Sequence, residues 1–257
     1  MKFRILIAVV FFLQLVACKE VVKDNTFDNA TTTTGVFNYL PESTTHAVYE
    51  HTGYTLSYAE NFEQAEWVAY ELNDSDLKNV NYNRPYFEVD EMVKTGAAHW
   101  RNYKKSGYNK GHLCPAGDRK KNFNLYEETF LTSNIAPQTY EFNSGVWNRL
   151  EQKVRYWATK YDGLYVVTAG VLTPDLPTIG YENVAVPNYF YKVLLTKDKK
   201  RMIGFLIPHK DSNKPLYNFV VPVDTIEKLT GIDFFPELDD ALENRLEAAS
   251  DYKGWSF

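Results

Sequence analysis

Residues 108–118 read Tyr-Asn-Lys-Gly-His-Leu-Cys-Pro-Ala-Gly-Asp, and residues 132–151 read Thr-Ser-Asn-Ile-Ala-Pro-Gln-Thr-Tyr-Glu-Phe-Asn-Ser-Gly-Val-Trp-Asn-Arg-Leu-Glu. Hydrolysing a phosphodiester needs a base for water, a cation on the phosphate and a positive group at the transition state. His112 supplies the first, Asn143 with Glu151 can hold the second, and Arg or Lys side chains nearby supply the third. Cys114, two residues after His112, raises a Cys/His nucleophile as well. On an extended segment, however, the two side chains share a face and point in parallel, and nothing marks a thiolate, so Cys114 reads as a small buried apolar residue.

Charge is unevenly spread. Residues 84–121 hold nine Lys/Arg against four acids, a net of +5, whereas the whole chain is at −5, which leaves −10 for the remainder. Such a block fits an electrostatic footprint for a polyanion on one face.

The elements that must position these residues follow from apolar period. Tyr54–Tyr58, Trp67–Leu72 and the nearly continuous run Leu164–Gly170 read as strands. Tyr189–Thr196 and Met202–Ile207 flank Lys197-Asp-Lys-Lys200, a hairpin turn, so the sheet is expected to be antiparallel. Val146, Trp147, Leu150, Val154 and Trp157 recur at spacings of three and four, predicting an amphipathic helix from Ser144 to about Tyr161. Asp224 to Glu227 resembles a capping arrangement and Gly231 a stop, giving a short helix, and Leu238, Leu242 and Leu246 mark a last one.

The chain opens with Met1-Lys-Phe-Arg4, then an apolar run Ile5–Val16 broken only by Gln14, ending Leu15-Val-Ala-Cys18. The run is shorter than the roughly 20 residues that a membrane span needs, so it reads as a signal peptide over residues 1–17. Its end resembles bacterial lipoprotein signals, which implies that Cys18 is lipidated and holds the protein on a membrane of the bacterial cell envelope, facing periplasm or exterior. Cys18 and Cys114 are the two cysteines, so an acylated Cys18 leaves Cys114 without an intramolecular partner. Residues 18–45 are polar, with Thr31–Thr34 as a low-complexity run, and read as a tether. One domain is expected over 46–257.

The order Arg84, His112, Asn143, Glu151 resembles the DNA/RNA non-specific endonuclease family, which includes secreted bacterial nucleases and mitochondrial endonuclease G. The family's Asp-Arg-Gly-His motif stands here as Asn109-Lys110-Gly111-His112, its Asn-x-x-Pro-Gln element as Asn134 to Gln138, and its metal-site element is complete from Phe142 to Glu151. Likeness at 186–192 and 204–208 extends the resemblance from about residue 46 to about residue 240. It implies an α+β, ββα-metal (His-Me finger) nuclease fold with a mainly antiparallel central sheet flanked by helices. It also implies that His112 is the general base, Arg84 stabilises charge on the phosphate, Lys110 contacts phosphate, Asn143 is the sole direct ligand of Mg²⁺, and Glu151 acts through water. Mn²⁺ is a candidate substitute. The ordinary histidine pKa near 6.5 suits such a base at neutral pH, and eight residues of straight helix advance about 12 Å, too far for Asn143 and Glu151 to ligate one ion directly.

The substrates so implied are DNA and RNA, cut to 5′-phosphate products. Two other functions remain open on sequence: a catalytically weak nucleic-acid-binding surface lipoprotein, suggested by Asn109, Lys110 and the acidic overall charge, and a phosphodiesterase for small molecules. Lysine at position 110 keeps the charge of the motif's arginine but loses its planar fork.

Overall fold

The strand-forming runs assemble into a single sheet in a computed structural model that describes residues 36–257. In chain order the strands are β1 (Val48–Glu50), β2 (Thr55–Ala59), β3 (Gln64–Leu72), β4 (Asn109–His112), β5 (Ile135–Gln138), β6 (Leu164–Gly170), β7 (Thr178–Ile179), β8 (Val184–Ala185), β9 (Tyr189–Thr196), β10 (Met202–Pro208) and β11 (Val220–Val221). The helices are α1 (Phe123–Glu128), α2 (Tyr140–Phe142), α3 (Asn148–Lys160), α4 (Val223–Thr230) and α5 (Asp240–Glu247). Seven strands form the main sheet in the order β1-β2-β3-β6-β9-β10-β11, every neighbouring pair antiparallel. β6 is buried along its whole length, as its nearly unbroken apolar run predicts. The hairpin between β9 and β10 turns at Lys197–Lys200 as expected, with Lys199 in the left-handed region.

Helix α3 lays Leu150, Val154, Trp157 and Ala158 into the main core, and burying each large apolar side chain contributes roughly 1.5–3 kcal/mol. The helix predicted from Ser144 begins differently. α2 is capped by Thr139, whose side chain accepts from the Phe142 amide; a wide π turn over Asn143–Trp147 follows, and backbone geometry departs from helical at Gly145 before α3 starts. The apolar pattern is continuous because both sides of this bend face the same core, so period alone does not reveal the bend.

Two local expectations need correction. Asp224 and Glu227 form no capping pair: Pro222 holds the cap position of α4, and Glu227 instead accepts from the Phe234 amide. Gly231 does end α4, at φ +72°. The tether read over 18–45 ends earlier than residue 45. Phe37, Tyr39 and Leu40 pack on the core, the Glu42 amide donates to the Asp233 carbonyl, and Trp67 Nε1 donates to the Glu42 carbonyl. Polar composition hides these anchors because each uses one aromatic ring or one backbone group. The signal peptide, Cys18 and the Thr31–Thr34 run lie outside the described residues. Among the described residues no helix is long and apolar enough to cross a membrane.

Candidate active site

β4 and β5 pair antiparallel, with Gly111 opposite Ala136 and His112 opposite Ile135, and the bent helix from Tyr140 to Lys160 follows directly. This is a ββα unit set against the main sheet. Gly111 sits against the fully buried Gln138 side chain: a Cβ there would lie 2.2 Å from Gln138 Cδ, so a larger residue would have to displace that side chain. Asn134 pins the turn after His112, its Oδ1 accepting from the Cys114 amide at 2.8 Å and its Nδ2 donating to the Cys114 and Thr129 carbonyls, both at 2.9 Å. Cys114 itself is fully buried, and burial pushes its thiol up to about 12. It is filler, as the sequence indicates.

The period of two along β4 puts Lys110 and His112 on one face. Arg84 reaches that face from another segment, held by a bridge between Glu88 and Leu131 in which the Thr132 amide donates to the Glu88 carbonyl at 2.9 Å. Phe87 and Phe130 form the shared wall. The Arg84 guanidinium carbon lies 5.8 Å and 5.2 Å from the centroids of these two rings, and the His112 ring centroid lies 5.4 Å and 4.9 Å from them. Lys110 Nζ stands 5.2 Å from the Phe87 centroid. Arg84, Lys110, Asn109 and Asn143 line one cleft of about 820 Å³, together with Trp100 and Tyr108. Tyr86 and Tyr140, 91% and 66% exposed, also line it and offer flat faces to bases.

His112 Nε2 is buried and without a hydrogen-bond partner. Burial, then the Arg84 charge, pushes the imidazole down to about 3. The ordinary value near 6.5 expected from sequence therefore does not hold in the free protein. At neutral pH the ring is neutral, the form that accepts a proton, and the negative charge of a bound phosphate would raise its basicity. Lys110 is likewise held below its ordinary value by burial and by Arg84.

A buried ionic network that sequence reasoning missed joins β9 to α3. Lys192 on β9 is fully buried, its Nζ donating to Thr168 Oγ1 at 3.0 Å and lying 4.3 Å from the Trp147 ring centroid. It faces Glu151, whose carboxyl burial raises to about 7 against the pull of Lys192, while burial lowers Lys192 to about 8. Arg155, one helical turn on from Glu151, places NH1 at 4.0 Å from it and at 2.7 Å from Asp118, which also accepts from the Tyr70 hydroxyl at 2.9 Å. A lysine inside the otherwise apolar run of β9 was the available signal. His209 is a second omission: its Nε2 accepts from the Thr139 amide at 2.9 Å while Nδ1 donates to the Pro187 carbonyl, also at 2.9 Å. The ring thereby ties the cap of α2, and so the turn bearing Asn143, to the sheet.

Asn143 is the C-cap of α2 and not the N-cap of a helix. It sits in helical geometry after Phe142, its amide donating to the Thr139 carbonyl. The bend at Gly145 also means that the 12 Å straight-helix separation from Glu151 does not describe this segment. One amide oxygen from Asn143 and one carboxylate from Glu151 make a sparse set of hard oxygen donors, which suits Mg²⁺ because that ion gives up water reluctantly.

The basic block is only partly a footprint. Arg119 is buried, its guanidinium carbon 4.6 Å from the Tyr70 ring centroid and NH2 donating to the Glu71 carbonyl, and Lys121 lies 3.6 Å from Asp76. Arg84 and Lys110 are the members that face the cleft.

A profile described as DNA/RNA non-specific endonuclease matches residues 33–241. The chain is 34% identical over 218 residues to the mitochondrial nuclease EXOG of Danio rerio, a match covering 77% of this chain and 63% of that relative's length. It is 33% identical to nuclease C1 of Cunninghamella echinulata var. echinulata, covering 78% and 87%, and 30% identical to human mitochondrial endonuclease G, covering 72% and 68%. A solved structure of an EndoG/EndoGI complex superposes with a TM-score of 0.70 at 30% identity, covering 75% of this chain and 86% of the other. The mainly antiparallel ββα-metal architecture expected from sequence is thus observed.

Proposed function

Because the chain belongs to the DNA/RNA non-specific endonuclease family, we propose that it is a metal-dependent endonuclease that hydrolyses phosphodiester bonds in DNA and RNA and leaves 5′-phosphate products. The observation that carries this reading is the buried, unpartnered His112 Nε2 behind the same aromatic wall as Arg84, beside a cleft that also presents Lys110 and Asn143. In this reading His112 takes the proton of the attacking water. Arg84, exposed at the cleft and seated against Phe87 and Phe130, stabilises the charge that grows on the phosphate. Lys110 adds a point contact to phosphate rather than a two-pronged one. Asn143 would hold Mg²⁺ directly and Glu151 through water, with Mn²⁺ as a substitute; the bound ion supplies Lewis-acid stabilisation of the phosphate. Lys192 and Arg155 oppose the upward pull of burial on the Glu151 carboxyl and so favour its ionised form. Exposed Tyr86 and Tyr140 give stacking without base readout, consistent with binding dominated by phosphate contacts and sensitive to salt.

Digestion of plasmid and of RNA by wild type and His112→Ala, each with and without chelator, tests the reading. The expected result is Mg²⁺-dependent cleavage of both substrates that falls by roughly 10²–10⁴-fold in the variant. Full activity in chelator, or in His112→Ala, would sink it. The apolar run before Cys18 further supports a lipid anchor at that residue, which would place the enzyme on a membrane of the bacterial envelope, facing periplasm or exterior. Cys18→Ala should then move the protein from the membrane to the soluble fraction; unchanged fractionation would refute the anchor.

A further inference from the structure

Far along the sequence from the ββα unit, α4 and α5 both pack on β10 and against each other. Five carboxylates converge there: Asp224 and Glu227 on α4, Asp233 in the connection, and Glu243 and Glu247 one turn apart on α5. Oxygens of Asp224, Glu227 and Glu247 lie within 4.8 Å of one another, and so do oxygens of Asp233, Glu243 and Glu247. Glu247 belongs to both triads. It is only 6% exposed, and its Oε1 is buried with no hydrogen-bond partner; Glu243 Oε1 is buried and unpartnered too.

A buried carboxylate is ordinarily paired or hydrogen-bonded, since an isolated buried charge is very costly. Yet among the described residues none of these five acids has a lysine, arginine or histidine within 4.0 Å. Burial, then the charges of Glu227, Glu243, Asp233 and Asp224, pushes the Glu247 carboxyl up to about 8. Something positive would relieve all five at once. Oxygens that lie within 4.8 Å of one another can share one ion, and Ca²⁺ accepts six to eight oxygens at about 2.3–2.6 Å in flexible geometry. Mg²⁺ demands a tighter octahedron and keeps its waters, so a site of several carboxylates from two helices and a loop favours the larger ion.

We propose that Glu247, flanked by Asp224 and Glu227 on one side and by Asp233 and Glu243 on the other, binds a calcium-class divalent cation that fastens α4 to α5. This site is separate from the one at Asn143 and does not depend on the nuclease reading. Its role is structural: the ion joins the two C-terminal helices across their connection.

The test uses the full chain carrying Asn143→Ala, so that the catalytic ligand is removed, stripped with chelator and then titrated with CaCl₂. Calorimetric stoichiometry and thermal unfolding are read. One equivalent of Ca²⁺ should bind, and Tm should rise with its concentration as expected for a ligand of the native state. In the same background Glu247→Gln should lose both effects, and Glu243→Gln should weaken binding at least tenfold. Nuclease activity of Glu247→Gln alone should match wild type. Absence of stoichiometric binding overturns the site, as does binding that survives Glu247→Gln. So does a Tm gain reproduced by NaCl at equal ionic strength, which would mean simple screening. A Tm that instead falls as pH rises towards 8, with no response to calcium, would mean that the acids share protons and would also overturn it. Should Glu247→Gln fail to fold, unchanged affinity in Glu243→Gln overturns the proposal by itself. Because none of these readouts is cleavage, the site and the nuclease reading fail separately.

Discussion

Glu151 and Glu247 are both carboxylates on helices packed against the main sheet, and both are held above the ordinary range by burial, to about 7 and about 8. Their surroundings differ in sign. Glu151 shares its pocket with Lys192 and Arg155, so positive and negative charges compensate within a few ångströms. Glu247 faces four further acids and no cation within salt-bridge range among the described residues. In the first arrangement two cations oppose the upward pull of burial; the second leaves charge for a ligand or protons to neutralise. Burial alone, then, says little about a carboxylate's task. The sign of its neighbours decides.

The sharpest break in this comparison is Lys192→Met. Removing this fully buried ammonium leaves Glu151 with Arg155 as its remaining cationic neighbour, which should cost about 3–5 kcal/mol in denaturant unfolding and reduce cleavage as well. If stability is unchanged, the ionic network between β9 and α3 is not compensated as described. Leu150→Ala, on the same helix but pointing into the core, should cost about 2–5 kcal/mol with Mg²⁺ dependence retained. That separates packing of α3 from its charge chemistry.

Glu247→Gln should behave in the opposite sense. With a folded pKa near 8 against an ordinary 4.5, the native chain holds a proton that the unfolded chain has released, so in chelator stability falls as pH rises across that window. The variant should flatten this fall and be the more stable protein at pH 8, which unfolding curves at pH 5 and pH 8 will show. A steeper fall in the variant would remove the contrast with Glu151. The smallest effect belongs to Lys110→Arg, which restores the two-pronged phosphate contact. It should lower KM modestly and leave Tm alone, read from steady-state cleavage at two salt concentrations.

Much of the molecule was legible before its structure. Leu164–Gly170 and Tyr189–Thr196 are strands because long β-rich apolar runs bounded by turn residues have few other uses, and both pair as expected. The candidate residues Arg84, His112, Asn143 and Glu151 were named from type and order; of these Arg84 and Asn143 line the cleft, and His112 stands against Phe87 and Phe130 beside it. Their electrostatic state was not readable that way. His112 loses its ordinary basicity because Phe87 and Phe130 wall it in, and those rings come from segments on either side of it in the chain. Lys192 and His209 escaped notice for a related reason: each acts on a partner dozens of residues away, and only Lys192, inside an apolar strand, carries a local signal.

By itself, then, the sequence determined element types, the antiparallel sheet and the chemical inventory, because backbone propensity, side-chain period and functional groups are properties of short segments. Tertiary structure alone decided where the helix bends at Gly145, that residues 37–45 belong to the domain, that much of the basic block faces away from the cleft, and which buried acids have partners. These depend on distance in space and on local dielectric, and no segment carries either until the chain has closed around it.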